Sequence, residues 1–218
     1  MKRKLLVKAG DCFTHKEELA NTVIHAAGLL FGLVAIPILV MLASQENNLS
    51  DVMRVGIYGV CFLATFTFST LFHGFKNEKI KCRLEKCDRI SIYFFIAGAY
   101  TPFVLYYMYN STGIILLSII WGLVFLGFLF ELFLANRYTI LSVFVYLAMG
   151  FMFLFVLNKF FETMPSYVIG LILAGVGLYS VGIIFYIWKK WQYHHAVWHL
   201  FVLGASICHY IAVLETVA

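Results

Sequence analysis

The chain has 218 residues, 62% of them hydrophobic and only 12% charged, whereas soluble domains carry about 25% charged residues. With a mean hydropathy of +0.90, its apolar residues exceed what one water-soluble core can hide, so the bilayer is the expected solvent. The net charge of +5 lies in short segments between long apolar runs, a pattern of membrane topology that excludes a nucleic-acid-binding face.

The chain opens with a polar stretch, MKRKLLVKAGDCFTHKEELA. The apolar run after it is longer than the roughly 7–15 residues of a signal-peptide core, so no cleavable signal is expected. A spanning helix needs about 20 mostly apolar residues. Seven runs meet this test, at about 22–43, 52–73, 89–109, 113–134, 138–157, 167–188 and 195–214. Residues 90–130 contain no Asp, Glu, Lys or Arg and are too long for one span; the polar turn Asn110-Ser111-Thr112-Gly113 divides them. Pro102 is expected to bend the third span, and Pro165 sits where the sixth begins. The loops are short, except a basic one of about fifteen residues after the second span, so neighbouring spans pack antiparallel. No internal repeat or linker is evident. The reading is a single all-α domain, a seven-transmembrane helix bundle.

Orientation follows from Lys and Arg. Of the 16 basic residues, all but Arg54 and Lys159 fall in the N-terminal tail or in the segments after the second, fourth and sixth spans. The positive-inside rule puts that side, with the N-terminus, in the cytoplasm and the C-terminus outside. The five cysteines, Cys12, Cys61, Cys82, Cys87 and Cys208, are odd in number and irregular in spacing, unlike a disulfide framework. Cys82 and Cys87 share the basic segment, but no second Cys/His pair of zinc-site spacing follows them.

Ionisable residues in or beside spans are costly and suggest function, and here they gather on one side. The second span ends with Ser69 and His73, at i and i+4 on one helix face. Asp88 immediately precedes the third span. The seventh opens with His195 and His199, again i and i+4, and the first opens with Glu18, Asn21 and His25, also on one face. Four helix ends thus bring His, Asp, Glu, Asn and Ser to a common depth. A His-x3-His pair chelates a metal from one helix face, and a third His completes a three-ligand site with an open position, as in catalytic zinc. Asp88 would act as orienter or general base. Other polar residues read as structural. His15 and His194 are assigned to interfacial solvation, although His194 leaves a register ambiguity with His195. His209 lies deeper and is expected to be hydrogen-bonded in the bundle. Glu131 stands near the inner end of the fourth span, within reach of the interface.

Taken together, Glu18-x2-Asn21-x3-His25, Ser69-x3-His73, Asp88 within CDRISIYFFIAGAYTP and His195-x3-His199 within HAVWHLFVLGAS make the chain resemble the progestin and adipoQ receptor family, in particular its bacterial haemolysin III branch. The resemblance runs from Glu18 to about Leu214. It implies a seven-helix bundle with the N-terminus inside and a zinc ion near the cytoplasmic face, bound at His73, His195 and His199. Asp88 would lie beside the zinc-bound water, and Ser69 would belong to the site. Some relatives look like ceramidases, and bacterial ones are linked to haemolysis and membrane-lipid homeostasis.

Two functional readings follow. One is a zinc-dependent hydrolase of a lipid amide or ester in a bacterial plasma (inner) membrane. The other is a non-enzymatic sensor of the membrane, in which zinc is structural. A pore fits less well, because the ionisable residues gather at one end of uniformly apolar spans. Membrane lipids are the expected partners in either case.

Overall fold

The computed structural model describes residues 13–45, 48–134 and 139–217. The basic residues 2–8, Cys12 and Arg137 lie outside them. Among the described residues the structure is all helical: α1 (His15–Ala43), α2 (Leu49–Gly74), α3 (Glu78–Tyr107), α4 (Ser111–Phe133), α5 (Thr139–Phe151), a 3₁₀ segment (Met152–Val156), α6 (Leu157–Thr163), α7 (Ser166–Ile187) and α8 (His194–Val217). The α5–3₁₀–α6 run, Ile140–Thr163, counts as one crossing, so among the described residues seven helices are long and apolar enough to span a membrane.

The helix ends follow from local chemistry. Thr14 caps α1 in a capping box with Glu17, and Asn48, Asn77 and Asn110 cap α2, α3 and α4 through their side chains. The Asn77 cap corrects one expectation. The basic stretch after the second span is no long loop but the first three turns of α3, which starts at Glu78 rather than near 89. Its first turns are exposed helix, and further along Glu85 and Arg89 pair at i, i+4, 2.8 Å apart. The fifth crossing also departs from a plain helix. Its backbone breaks near Gly150, and Tyr100 of α3 meets the freed groups: its hydroxyl donates to the carbonyls of Met149 and Gly150 at 2.9 and 3.0 Å and accepts the Phe153 N–H at 3.0 Å. Within a bilayer such a break is tolerated only where protein satisfies it.

α3 packs against α2, α4, α5 and α8, while α1 bridges α2 and α8, and α7 backs α8. The core is a continuous layer in which Tyr58, Phe62, Phe66, Tyr93, Val104 and Leu39 are almost wholly buried. Close approach of α1 to α2 depends on glycine: a Cβ at Gly28 would overlap the Phe66 ring, and one at Gly32 the Phe62 ring. Large apolar side chains outside this layer, such as Leu30, Val34, Phe125 and Phe155, face outward, as lipid contact requires.

Glu131 is not an interfacial residue, contrary to the sequence reading. It is 1% exposed, accepts from Arg89 Nε at 2.9 Å and from Ser142 Oγ at 2.5 Å, and so ties α4 to α3 and α5. Removing Glu131 leaves Arg89 with only the more exposed Glu85 as counter-charge. Glu131→Leu is therefore expected to lower stability by about 3 kcal/mol, and the double variant Arg89→Leu/Glu131→Leu to regain most of it. Denaturant unfolding in micelles measures both. A double variant no more stable than the single would place the loss elsewhere than in the stranded charge.

Candidate metal centre

The histidines come together at the end of the bundle where the basic residues of α3 stand. His73 lies in the last turn of α2, and His195 and His199 in the first two turns of α8. All three are buried, at 3%, 8% and 1% exposure. One nitrogen from each lies within 4.8 Å of the other two, a separation that one ion can bridge. The register ambiguity resolves toward His195, because the Nδ1 of His194 is engaged with the Phe185 carbonyl at 3.0 Å.

The α1 residues explain the rest of the geometry. Glu18 Oε2 is 2.6 Å from His73 Nδ1, and Glu18 Oε1 accepts from Lys81 Nζ at 2.5 Å. His25 Nε2 is 2.6 Å from His199 Nδ1, and Asn21 Nδ2 is 3.4 Å from His73 Nδ1. A carboxylate can only accept, so the His73 proton facing Glu18 belongs on Nδ1, leaving Nε2 bare. If His199 likewise donates from Nδ1 to His25, its Nε2 is bare too. These two Nε2 atoms are 3.1 Å apart. In that tautomer the two lone pairs need a shared cation, either a proton or a metal ion that also takes His195; in the other, His25 donates to His199 Nδ1 and His199 Nε2–H donates to His73 in an ordinary hydrogen bond. His195 Nδ1 is buried with no hydrogen-bond partner, as an atom of such a set would be. The residues therefore fit a metal with nitrogen ligands. The Asn21 amide fits the same assignment if turned over, since its unpartnered Oδ1 would then face the Nδ1–H.

Asp88, half-buried on α3, faces His73 and Ser69. Ser69 Oγ is buried and closes no hydrogen bond of normal length, so Asp88 and Ser69 are neighbours across the α2–α3 contact rather than a bonded pair. All eight residues singled out in the sequence thus stand at one site. The spacing showed that Glu18, Asn21 and His25 share a face but not what they touch. Three participants were missed: Lys81, which neutralises Glu18; Phe13, whose ring lies 4.7 Å from that of His195; and Phe72, whose ring packs on His73 at 4.5 Å. Lys81 carried a signal in its position on a capped helix. Phe13 carried none, being outside every apolar run. His209, at 9% exposure, closes no hydrogen bond of normal geometry. Its ring packs against Tyr179 and the space left by Gly175.

Fold and site together define a multi-pass helical membrane protein with a buried histidine cluster at one end. Residues 13–210 match the haemolysin-III related family, and the chain belongs to it. It is 40% identical to a hemolysin-3 homolog of Bacillus subtilis (strain 168) over 93% of this chain and 95% of that one. It is 38% identical to hemolysin-3 of Bacillus cereus over 91% of each. A more distant relative is the human monocyte to macrophage differentiation factor, 29% identical over 94% of this chain and 82% of that one.

Residues that orient metal ligands typically change affinity by about 10–100-fold when removed. Glu18→Gln and His25→Ala are expected to weaken metal binding in that range while leaving all three ligands in place. Competition against a chromophoric chelator measures it, and affinities equal to wild type would sever the α1 motif from the cluster.

Proposed function

We propose that this protein is a zinc-dependent hydrolase of a lipid amide or ester bond, serving membrane-lipid homeostasis at the cytoplasmic face of a bacterial inner membrane. The observation that carries the reading is the pair of facing Nε2 atoms of His73 and His199, with His195 beside them. His73, His195 and His199 would hold the zinc, which when bound supplies Lewis acidity toward a carbonyl oxygen. Asp88 takes up and returns the proton; in support, its carboxylate faces His73 and Ser69 from a third helix. Ser69 orients water or the substrate's polar group, having a buried hydroxyl with no closed bond. Depth also supports a lipid substrate. The amide or ester linkage of a lipid lies at the boundary between headgroup and chain, and the cluster lies in the terminal turns of α2 and α8, the same level in a spanning bundle.

A second reading is a sensor in which zinc ties α2 to α8 without turnover. The near-complete burial of all three histidines favours it. The two separate at Asp88. In the hydrolase, Asp88→Asn keeps about one zinc per chain by elemental analysis and loses about 10²-fold or more in lipid turnover. In the sensor, no wild-type turnover is found in zinc-loaded protein, and lipid-dependent behaviour persists in Asp88→Ala. Loss of zinc in folded His73→Ala, His195→Ala and His199→Ala is expected in both. Orientation is tested separately: alkaline phosphatase fused after residue 218 is expected to be active, as it folds outside the cytoplasm, and an inactive fusion would reverse the topology.

A further inference from the structure

At the basic end of the bundle the histidine cluster is covered by Phe13. Its ring centroid lies 4.7 Å from that of His195 and 6.1 Å from those of His73 and His194. The same residue lines a cavity of about 310 Å³, together with Glu17, Lys190, Trp191 and His194. Lys190 and Trp191 are exposed, so this cavity belongs to the watery end of the molecule. Phe13 is therefore the wall between that cavity and the buried rings.

Phe13 stands before the first helical residue and is not held there by helix formation. The anchor is Glu17. Its Oε2 accepts from the Thr14 backbone N–H at 2.8 Å and the Thr14 hydroxyl at 2.7 Å. Its Oε1 accepts from the Tyr193 backbone N–H at 3.2 Å. One carboxylate thus closes the cap of α1 and joins it to the turn that leads into α8. Tyr193 has φ 61°, in the left-handed region that a bulky side chain rarely enters. A turn in the left-handed region, tied to α1 by one carboxylate and to α8 by its own backbone bonds, beside an aromatic ring laid over the site, has the parts of a closure that can open.

We propose that Phe13 is the plug of the aqueous route to the histidine cluster and that Glu17 is the latch that keeps it shut. In the closed form the apolar ring keeps bulk water from the imidazoles, which strengthens the polar interactions behind it. Opening admits water, protons or a metal ion from the basic end without disturbing the helices. The proposal extends the hydrolase reading by naming its water entrance, but it concerns access to the rings and depends on neither bound metal nor turnover.

The test is carbethoxylation of the full-length protein in nanodiscs by diethyl pyrocarbonate, with a chelator present so that no ion shields the rings, read histidine by histidine by peptide mass spectrometry. Exposed His15 reports reagent activity, and buried His209 reports general loosening. Wild type is expected to react quickly at His15 and slowly at His195. Phe13→Ala is expected to raise the His195 rate by about tenfold, Glu17→Gln by several-fold, and Phe13→Leu to stay near wild type, because local opening sets the rate. An unchanged His195 rate in Phe13→Ala overturns the plug, and an unchanged rate in Glu17→Gln overturns the latch. A rise at His209 in step with His195 also overturns the proposal, since the bundle has then loosened as a whole. Failure of the metal reading would appear instead in the elemental analysis and leave these rates as they are.

Discussion

The His73 imidazole, only 3% exposed, has both nitrogens engaged, and much of the structure answers to that constraint. A buried polar group without a partner costs several kcal/mol in an apolar medium. Nδ1 therefore has Glu18 at 2.6 Å and Nε2 has His199 at 3.1 Å. Each partner then brings its own requirement. The Glu18 carboxylate needs a counter-charge, which Lys81 supplies from α3 while its ammonium sits over the Phe72 ring at 4.9 Å. His199 Nδ1 needs a partner of its own, which His25 supplies from α1. By satisfying one ring the chain fixes the relative depth of α1, α2, α3 and α8 to within a hydrogen-bond length.

One residue separates this network from a second. Asp88 faces His73, and Arg89, turned about 100° further round α3, pairs with Glu131, itself bonded by Ser142, and with Glu85. The backbone between them is pinned as well. Ser91 Oγ donates to the Asp88 carbonyl at 2.7 Å, and Tyr146 of α5 donates to the Arg89 carbonyl at 2.9 Å. α4 and α5 bring no residue to the cluster, yet through Arg89 and Tyr146 they hold the turn that carries Asp88. The buried ion pair is thus better understood as a fixture for α3 than as a net source of stability, in keeping with the modest return of buried pairs.

The seven crossings were legible in the sequence because the bilayer imposes a length and a polarity that no other solvent does. The site's membership was legible for a related reason: polar residues are rare enough in such spans that four groups at one depth stand out. What escaped was pairing across helices. Glu131 looks the same in the sequence whether it reaches the interface or meets Arg89, 42 positions away, and only tertiary contact decides. The start of α3 escaped because a lysine-rich segment between spans reads as a loop, although Asn77 before Glu78 is a cap signal. The 3₁₀ break in the fifth crossing escaped because the groups it frees are met by the Tyr100 hydroxyl on another helix.

The surroundings of the cluster bear on why three imidazoles are kept in so dry a place. Each ring packs against an aromatic neighbour: Phe72 on His73 at 4.5 Å, Trp198 on His195 at 4.9 Å and on His199 at 4.7 Å, and Phe66 on His25 at 5.2 Å. Such a shell lowers the local dielectric. That penalises bare lone pairs facing each other, and it strengthens their attraction for a cation by the same factor. In the tautomer that leaves both Nε2 atoms bare, the facing pair is a standing cost unless a cation is shared. With one, the shell becomes part of the site, controlling both how tightly the ion is held and how strongly it acts on a bound group. The aromatic packing and the facing nitrogens therefore form a single arrangement, in which the same low dielectric strengthens the hydrogen bonds among the rings and their attraction for a cation.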